Sequence, residues 1–277
     1  MMKKILLIVC MVVIGMSAMA LNPSRKYAAK PGDFGLNYDE VSIETEDNLT
    51  LKGWLYKPQE ASFKMIILSD DGDGNMADMI EIASNFVSLG FYVLTYDYRG
   101  YGESADFTIN NSFYIYAQFE KDLQAAINYA RKYHSKMKVL DLYGIGIGGG
   151  LSVSVGANRT EIFQVIADSP YSKLEDMKKR IKEKRNIDVL LPLGFNKYLM
   201  EPYYALETKG TNLYGVLFIC GEYDDLVNPN DIKELMKVQK NRTSMYIVKG
   251  VNATETFTKD KNKYFEEIRA FLKYPSQ

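Results

Sequence analysis

The chain has 277 residues, of which 47% are hydrophobic and 25% are charged, and its formal net charge is −1. A chain of this length and composition can bury a large core within one globular domain. The near balance of charges excludes a protein that binds nucleic acid or an anionic membrane through a basic surface.

The first twenty residues have the pattern of a secretory signal. Lys3 and Lys4 precede an apolar run at 5–16, and Ala18-Met19-Ala20 follows as a cleavage site. The alternative is a retained anchor, but the apolar run is short for a membrane span and no basic segment follows it. We therefore predict a signal peptide at 1–20, a single domain at 21–277, and a secreted or periplasmic protein with no stable membrane span after cleavage.

Cleavage would change the charge and the cysteine content. The count of basic residues falls from 34 to 32 against 35 acidic residues, so the net charge becomes −3. Cys10 is removed, and Cys220 is left without an intrachain partner. The strand-like context of Cys220 predicts a buried, inert thiol.

The remaining sequence reads as a hairpin followed by alternating strands and helices. After a short lead-in at 21–35, two alternating segments flank the turn Asp47-Asn48 and predict an antiparallel hairpin. Apolar runs then predict strands at 65–68, 91–94, 139–142, 163–167, 216–220 and 245–248. Helical patterns lie between them at about 76–88, 114–134, 149–158, 230–239 and 260–273. This order predicts an α/β fold with a mostly parallel sheet and helices on both faces.

Residues 171–213 interrupt the alternation and predict a lid insertion over the carboxyl ends of the strands. The segment opens with a charged helix at about 173–185. Its basic residues are interleaved with acidic ones, which favours a solvated helix face over a partner site.

The segment Leu142-Tyr-Gly-Ile-Gly-Ile-Gly-Gly-Gly150 follows a predicted strand and opens a helix made of small residues. It resembles the G-x-S-x-G nucleophile elbow of α/β-hydrolases, with Gly144 and Gly148 as the two glycines of the motif. Gly146 then stands where the nucleophilic serine belongs.

Three other segments extend this resemblance to roughly residues 40–275. Tyr96-Asp-Tyr-Arg-Gly-Tyr-Gly-Glu-Ser104, Asp168-Ser-Pro170 and Gly221-Glu-Tyr-Asp-Asp-Leu-Val227 occur in the order typical of the serine-aminopeptidase-like and acyl-esterase-like α/β-hydrolases. The resemblance implies the α/β-hydrolase fold, ancestry among serine hydrolases that act on esters or amides, and Asp224 as the acid of the catalytic triad.

The same resemblance shows what is missing. Ala253 occupies the position of the catalytic histidine, so Asp224 is the triad residue that survives. The oxyanion-hole positions are Asp71 and Ile147, and the loop that contains Asp71 reads Ser69-Asp-Asp-Gly-Asp-Gly-Asn75. Carboxylates there would repel the negative charge that an oxyanion hole stabilises. Loss of the nucleophile and its base removes most of the rate in serine hydrolases.

Other side chains offer no obvious replacement. His134 is predicted at the amino edge of the sheet, opposite the active-site face. Ser152 and Ser154 lie within the helix that follows the elbow, and Ser104 is predicted to make structural hydrogen bonds.

Two other interpretations of the sequence stay open. Gly144-x-Gly146-x-x-Gly149 also fits a dinucleotide-binding fingerprint, although it follows the third strand instead of the first. Asp71-Gly-Asp-Gly-Asn75 resembles the start of a calcium loop, but a complete loop is excluded, which leaves a looser cation site formed with Asp70 and Asp224. The simpler interpretation is a polar turn in which Asn75 caps the next helix.

We therefore predict an exported α/β-hydrolase-like protein that is catalytically inactive and binds a small ligand or a protein partner, with no cofactor and no metal. One alternative is an active ester or amide hydrolase with a non-standard site. The other is a dinucleotide-binding protein that uses residues 144–149.

Overall fold

A computed structural model of the chain describes residues 21–272; the predicted signal peptide and residues 273–277 lie outside them. Within this range the strands are β1 (Asn22–Pro23), β2 (Tyr38–Glu44), β3 (Thr50–Tyr56), β4 (Lys64–Ser69), β5 (Asp73–Gly74), β6 (Tyr92–Tyr96), β7 (Val139–Ile145), β8 (Gln164–Asp168), β9 (Gly215–Gly221) and β10 (Thr243–Val248). The α-helices are α1 (Ile80–Ser88), α2 (Gln118–Tyr133), α3 (Gly146–Ala157), α4 (Leu174–Arg185), α5 (Lys197–Met200), α6 (Pro202–Lys209), α7 (Pro229–Lys237), α8 (Thr256–Lys259) and α9 (Lys261–Phe271).

The main sheet has eight strands in the order β10-β9-β8-β7-β4-β6-β3-β2. The strands from β10 to β6 pair in parallel, whereas β3 pairs antiparallel with both β6 and β2. The predicted mostly parallel sheet and the antiparallel hairpin near the amino terminus are therefore confirmed.

Both faces of the sheet are covered, and the alternation of side chains along β4 shows this directly. Met65 and Ile67 join an apolar cluster with residues of α2 and α3, while Ile66 and Leu68 join a second cluster with residues of α1 and α9. All four side chains are at most 1% exposed. A strand buried on both faces reads as a continuous apolar run, which is why the sequence identified it as a parallel strand.

The turn at Tyr96–Ser104 is held by a buried ion pair. Arg99 is 2% exposed, and its guanidinium donates to the carboxylates of Asp122 in α2 and Asp47 in the hairpin turn. The Ser104 hydroxyl donates to the carbonyl of Asp97 and accepts from the amide of Lys52. The predicted structural role of Ser104 is thus confirmed.

Three local features differ from the sequence expectation. The lead-in contains a short strand, β1, that pairs in parallel with β5. The elbow helix begins at Gly146, three residues before its predicted start, because the apolar-periodic pattern is hidden by glycines. In the predicted lid, α4 borders the carboxyl edge of the sheet, whereas α5 and α6 pack against α3.

A search of residues 21–272 finds no helix that is both long enough and apolar enough to span a membrane. Cys220 is buried with a free thiol, as predicted, and burial raises the pKa of that thiol to about 12. The thiolate that would give reactivity is therefore scarce at neutral pH.

Candidate ligand-binding cleft

A cleft of about 320 Å³ opens at the carboxyl ends of the parallel strands. The loops after β4, β7, β8, β9 and β10 all meet there, because parallel strands end at the same edge of the sheet. All five site residues predicted from the sequence line this one cleft: Asp71, Gly146, Ile147, Asp224 and Ala253.

Gly146 lies at the sharp turn between β7 and α3 with a φ of +53°. This left-handed conformation costs a residue with a side chain roughly 1–3 kcal/mol, and glycine adopts it freely. Gly148 is required for another reason, since a Cβ there would lie 2.4 Å from the carbonyl oxygens of both Ser69 and Asp70. The elbow backbone is therefore retained although its residue 146 has no side chain.

Asp71 faces Gly146 across the cleft. A Cβ built on Gly146 would lie 3.1 Å from the Cβ of Asp71. Asp71 is an exposed residue overall, and its Oδ1 accepts the amide of Asp73 at 3.0 Å. Desolvation of the carboxylate by the surrounding protein raises the pKa of Asp71 to about 6. At neutral pH an anion therefore stands beside the predicted oxyanion position.

Two tyrosine side chains of the Tyr96–Ser104 turn hold the loop that contains Asp71 in place. The hydroxyls of Tyr98 and Tyr101 donate to the carbonyls of Asp70 and Gly72, at 3.3 and 3.0 Å. Asn75 caps the helical turn that follows, as predicted, by accepting the amide of Ala77 at 3.0 Å. These contacts hold the loop at 69–75, which forms one wall of the cleft, in a single position.

Asp224 lies after β9 and is 3% exposed. Its Oδ1 accepts the amides of Leu226 and Val227 at 2.9 and 2.8 Å, while its Oδ2 has no hydrogen-bond partner among the described residues. The Ser169 hydroxyl donates to Asp168 at 3.1 Å, and its interaction with Asp224 lowers the pKa of Asp224 against the larger effect of burial. Burial raises the pKa of Asp224 above its ordinary value.

The neighbouring Asp168 has, in contrast, a full set of donors. Thr256 and Tyr264 donate to its Oδ2 at 2.7 and 2.8 Å, and Ser169 donates to its Oδ1. Burial nevertheless raises the pKa of Asp168 to about 6. Asp168 therefore ties β8 to α8 and α9 behind the cleft, next to Ala253.

The sequence did not predict several residues that line the cleft. Asp73 was expected, whereas Asp78 was not. Asp78 lies in the helical turn after Asn75, and its carboxylate accepts the Asn75 amide in a capping box. Ser169 has a φ of +47°, a rare conformation for a serine. Tyr114 arrives from a loop without regular structure. Only the capping box left a signal in the sequence, as Asn75 followed three residues later by Asp78.

The residues set aside from catalysis lie away from the cleft. His134 ends α2, packs near the ring of Tyr129, and has its pKa lowered by burial. Ser154 donates to the carbonyl of Gly150 within α3, and the Ser152 side chain is buried. None of these three residues lines the cleft.

The looser cation site predicted from Asp70, Asp71, Asp73 and Asp224 is not assembled. Asp70 is buried beneath its loop, where its Oδ1 accepts the amide of Gly72 at 2.7 Å, and it does not line the cleft. Within residues 21–272, no group of three or more histidine, cysteine or carboxylate side chains is arranged to hold a metal ion.

Comparison with known proteins gives a consistent family. Residues 72–192 match the model of the serine aminopeptidase family S33. Protein bem46 of Schizosaccharomyces pombe is 27% identical over 216 residues, which are 74% of this chain and 67% of that protein. The α/β-hydrolase domain-containing protein WAV2 of Arabidopsis thaliana is 22% identical over 230 residues, 76% of this chain and 70% of that protein. This chain has the α/β-hydrolase fold, and these similarities support the α/β-hydrolase family.

Solved structures agree on the fold of this α/β-hydrolase. An esterase from Pyrococcus furiosus superposes with a TM-score of 0.72 at 20% identity, covering 91% of this chain and 96% of the esterase. The likeness to these structures shows the fold, and in this fold the carboxyl edge of the sheet is where function is expected.

Proposed function

We propose that this α/β-hydrolase no longer performs serine-histidine catalysis and uses its cleft to bind a small ligand. Attack on an acyl carbon needs an oxygen or sulfur nucleophile and a base that takes its proton. Glycine at 146 and alanine at 253 supply neither, and both residues line the cleft. The single observation that carries the proposal is that Gly146 and Ala253, the predicted positions of the nucleophile and the base, line one cleft with no reactive side chain at either position.

Two further features support it. Asp71 occupies a position that the resemblance assigns to the oxyanion hole, so a negative charge on its carboxylate would oppose the charge that develops in acyl transfer. The cleft also keeps an enclosed apolar wall, built by Ile82, Ile145, Met177, Leu226 and Phe257. A pocket of this size with apolar walls and a few polar groups is typical of small-ligand sites.

The test is reaction of the purified protein with a fluorophosphonate probe, alongside hydrolysis of short- and medium-chain nitrophenyl esters. We expect no labelling and no turnover above that of heat-denatured protein. Covalent labelling of any serine, with loss of turnover on labelling, would show an active hydrolase and overturn the proposal.

One specific observation favours a second candidate, hydrolysis through Ser169. This serine is held in a strained backbone conformation at the cleft wall, and it donates to Asp168, whose pKa lies near 6. Strained residues cluster at functional sites, and a carboxylate with that pKa can act as a base. If this candidate is correct, mass spectrometry will place the fluorophosphonate adduct on Ser169, and S169A will abolish both labelling and turnover.

We also propose that the protein is exported, because residues 1–20 have the charged, apolar and small-residue order of a signal peptide. Amino-terminal peptide sequencing of the protein from expressing bacterial cells tests this. A mature chain that begins at Leu21 in the periplasm or the medium supports export, and an intact Met1 in the cytoplasm refutes it.

A further inference from the structure

One loop of the predicted lid exposes apolar side chains to solvent. Residues 190–195, here called the apolar tip, read Leu-Leu-Pro-Leu-Gly-Phe. Leu193 is 98% exposed and Leu190 is 45% exposed, and the remaining apolar side chains of the tip are only partly buried. A single exposed leucine on a protein surface is ordinary, but several exposed apolar residues in one continuous segment are typical of an interaction site.

The apolar tip is held at both of its ends. At its start, the Leu190 amide donates to the carbonyl of Ser112 at 2.7 Å, and the Leu190 carbonyl accepts the amide of Tyr114 at 3.0 Å. At its end, the Asn196 side chain caps α5 by accepting an amide of the first turn at 3.0 Å. Between them Gly194 has a φ of +68°, and a Cβ built there would meet no atom within 4 Å. The turn of the tip therefore projects into solvent from a loop whose ends are fixed.

The chain on either side of the apolar tip is basic. Residues 178–197 carry seven lysine or arginine side chains and two carboxylates, whereas the whole chain has a net charge of −1. Carboxylates elsewhere in the fold neutralise two of these cations, since Arg180 pairs with Asp231 and Arg185 with Asp225. The lysines of the segment still outnumber its own carboxylates. The balance of charges over the whole chain therefore does not extend to this segment.

Two of these lysines lie next to the apolar tip in the chain. Lys184 is exposed near the end of α4, and Lys197 is exposed at the start of α5. The Nζ atom of Lys197 lies 4.0 Å from the ring centre of Tyr204 and 5.2 Å from that of Tyr198. Lysine and tyrosine side chains combine an apolar body with a polar end, which suits the boundary between lipid and water.

A membrane surface suits this combination better than a second copy of the chain. A stable dimer interface takes about 20–30 residues from each partner, whereas the apolar tip has six. At a membrane, by contrast, the exposed side chains of a single loop can enter the layer of lipid headgroups. Binding there grows with the apolar area that is buried and with the attraction of basic residues to anionic lipids.

We propose that the protein docks on anionic membrane surfaces through the apolar tip. Leu193 and Leu190 insert between the lipid headgroups, and Lys184 and Lys197 lie close to the lipid phosphates. The anchor is the apolar tip and not a basic surface of the whole protein, so the balanced net charge does not oppose it. This inference goes beyond the proposed function and does not depend on whether the cleft is catalytic.

Co-sedimentation with lipid vesicles tests the proposal. We would use residues 21–277, because they contain the whole described fold and the apolar run at 5–16 would itself bind lipid. Vesicles of equal parts phosphatidylcholine and phosphatidylglycerol are compared with vesicles of phosphatidylcholine alone. We expect at least about tenfold tighter binding to the anionic vesicles. No binding to the anionic vesicles, or equal binding to both kinds, would overturn the inference.

Variants identify the part of the surface that binds. L193D replaces the most exposed apolar side chain of the tip by a charge, and we expect it to weaken vesicle binding by about tenfold or more. F34D is the matched control, since Phe34 is 63% exposed on the segment before β2, and its binding should equal that of the natural protein. Thermal unfolding of L193D should match that of the natural protein, because a side chain that is 98% exposed contributes little to the core. Unaltered vesicle binding by L193D would refute the assignment.

The competing occupant of the apolar tip is a second copy of the chain. Size-exclusion chromatography with light scattering, carried out without lipid, separates the two cases. We expect the natural protein and L193D to have the same mass. A dimer that L193D dissociates would overturn the inference, because the tip would then be covered by protein instead of lipid.

Discussion

A Cβ atom on Gly146 would lie 3.1 Å from the Cβ of Asp71, closer than about nine in ten real Cβ contacts. The two residues are the predicted nucleophile position and a predicted oxyanion-hole position, on loops after β7 and β4. Aspartate at 71 therefore does two things: it crowds any side chain at 146, and it places a carboxylate beside the reacting centre. A glycine at 146 and an aspartate at 71 are therefore sterically compatible neighbours.

Restoring catalysis should therefore take three substitutions. We expect the double variant G146S/A253H to gain little esterase activity, because Asp71 still crowds the serine and repels the oxyanion. Adding D71G should raise nitrophenyl-ester hydrolysis by about 10²-fold over the double variant, the scale of one oxyanion-hole contact.

The control for this experiment is G146A/A253H/D71G, which has the same backbone strain without a nucleophile. Only the serine-containing triple variant should react with fluorophosphonate. If the double variant is already as active as the triple variant, the proposed conflict between positions 71 and 146 is wrong.

Substitution of the two elbow glycines 146 and 148 by alanine should lower the free energy of unfolding by different amounts. The reference is G194A, outside the elbow, which tests the left-handed conformation alone because Gly194 has a φ of +68° and no atom within 4 Å of a Cβ built there. We expect G194A to lose about 1 kcal/mol. G146A should cost about 1–3 kcal/mol, because strain and the Asp71 contact act together. G148A should cost about 3 kcal/mol or more, since backbone carbonyls at 2.4 Å cannot move aside easily. Urea denaturation of the three variants gives the order, and a G148A protein as stable as G194A would contradict the packing.

The ion pair of Arg99 with Asp122 should be required for folding. Asp122 is fully buried and Arg99 is 2% exposed, so D122N leaves a guanidinium without its main counter-charge. We expect D122N to lower the free energy of unfolding by about 3–5 kcal/mol, as for other broken buried pairs. D106N breaks the exposed pair of Arg25 and Asp106 and should change stability by less than about 0.5 kcal/mol. Similar losses in both variants would refute the distinction.

The pH dependence of stability should reveal the charge of Asp71. Its pKa is raised from 3.8 to about 6 in the folded chain. As the pH rises from about 4 to about 6, the Asp71 carboxyl loses its proton in the unfolded chain before it does so in the folded chain, so the free energy of unfolding falls. This loss of stability persists above pH 6. D71N removes the cost. After allowance for solvent screening of this open carboxylate, we expect D71N to be about 1 kcal/mol more stable than the natural protein near pH 7.5 and no more stable near pH 4.

Thermal unfolding at the two pH values measures this difference, with E60Q as a control that should follow the natural protein at both. A D71N protein that is destabilised equally at both pH values would contradict this prediction. It would show that the carboxylate stabilises the fold through its hydrogen bond with Asp73 and that its charge does not destabilise the fold.

The sequence determined the order of the elements and the place of the site. Apolar runs such as 65–68 are typical of strands buried on both faces, and strands that alternate with helices favour a parallel sheet whose carboxyl edge gathers the loops. Because Gly144, Asp168 and Asp224 each follow or end such a strand, the sequence predicted that their loops meet at this edge.

Only the tertiary structure decided which side chains line that cleft. Asp78 enters from a capping turn, Ser169 adopts a left-handed conformation, and the contact of Asp71 with residue 146 joins loops 75 positions apart. The hydrogen bonds of Asp168 and Asp224 depend on which distant neighbours supply donors. Such contacts arise from packing between segments that are distant in the sequence. Local sequence patterns do not predict them, because periodicity indicates which face of a helix or strand is buried and not which other element packs against it.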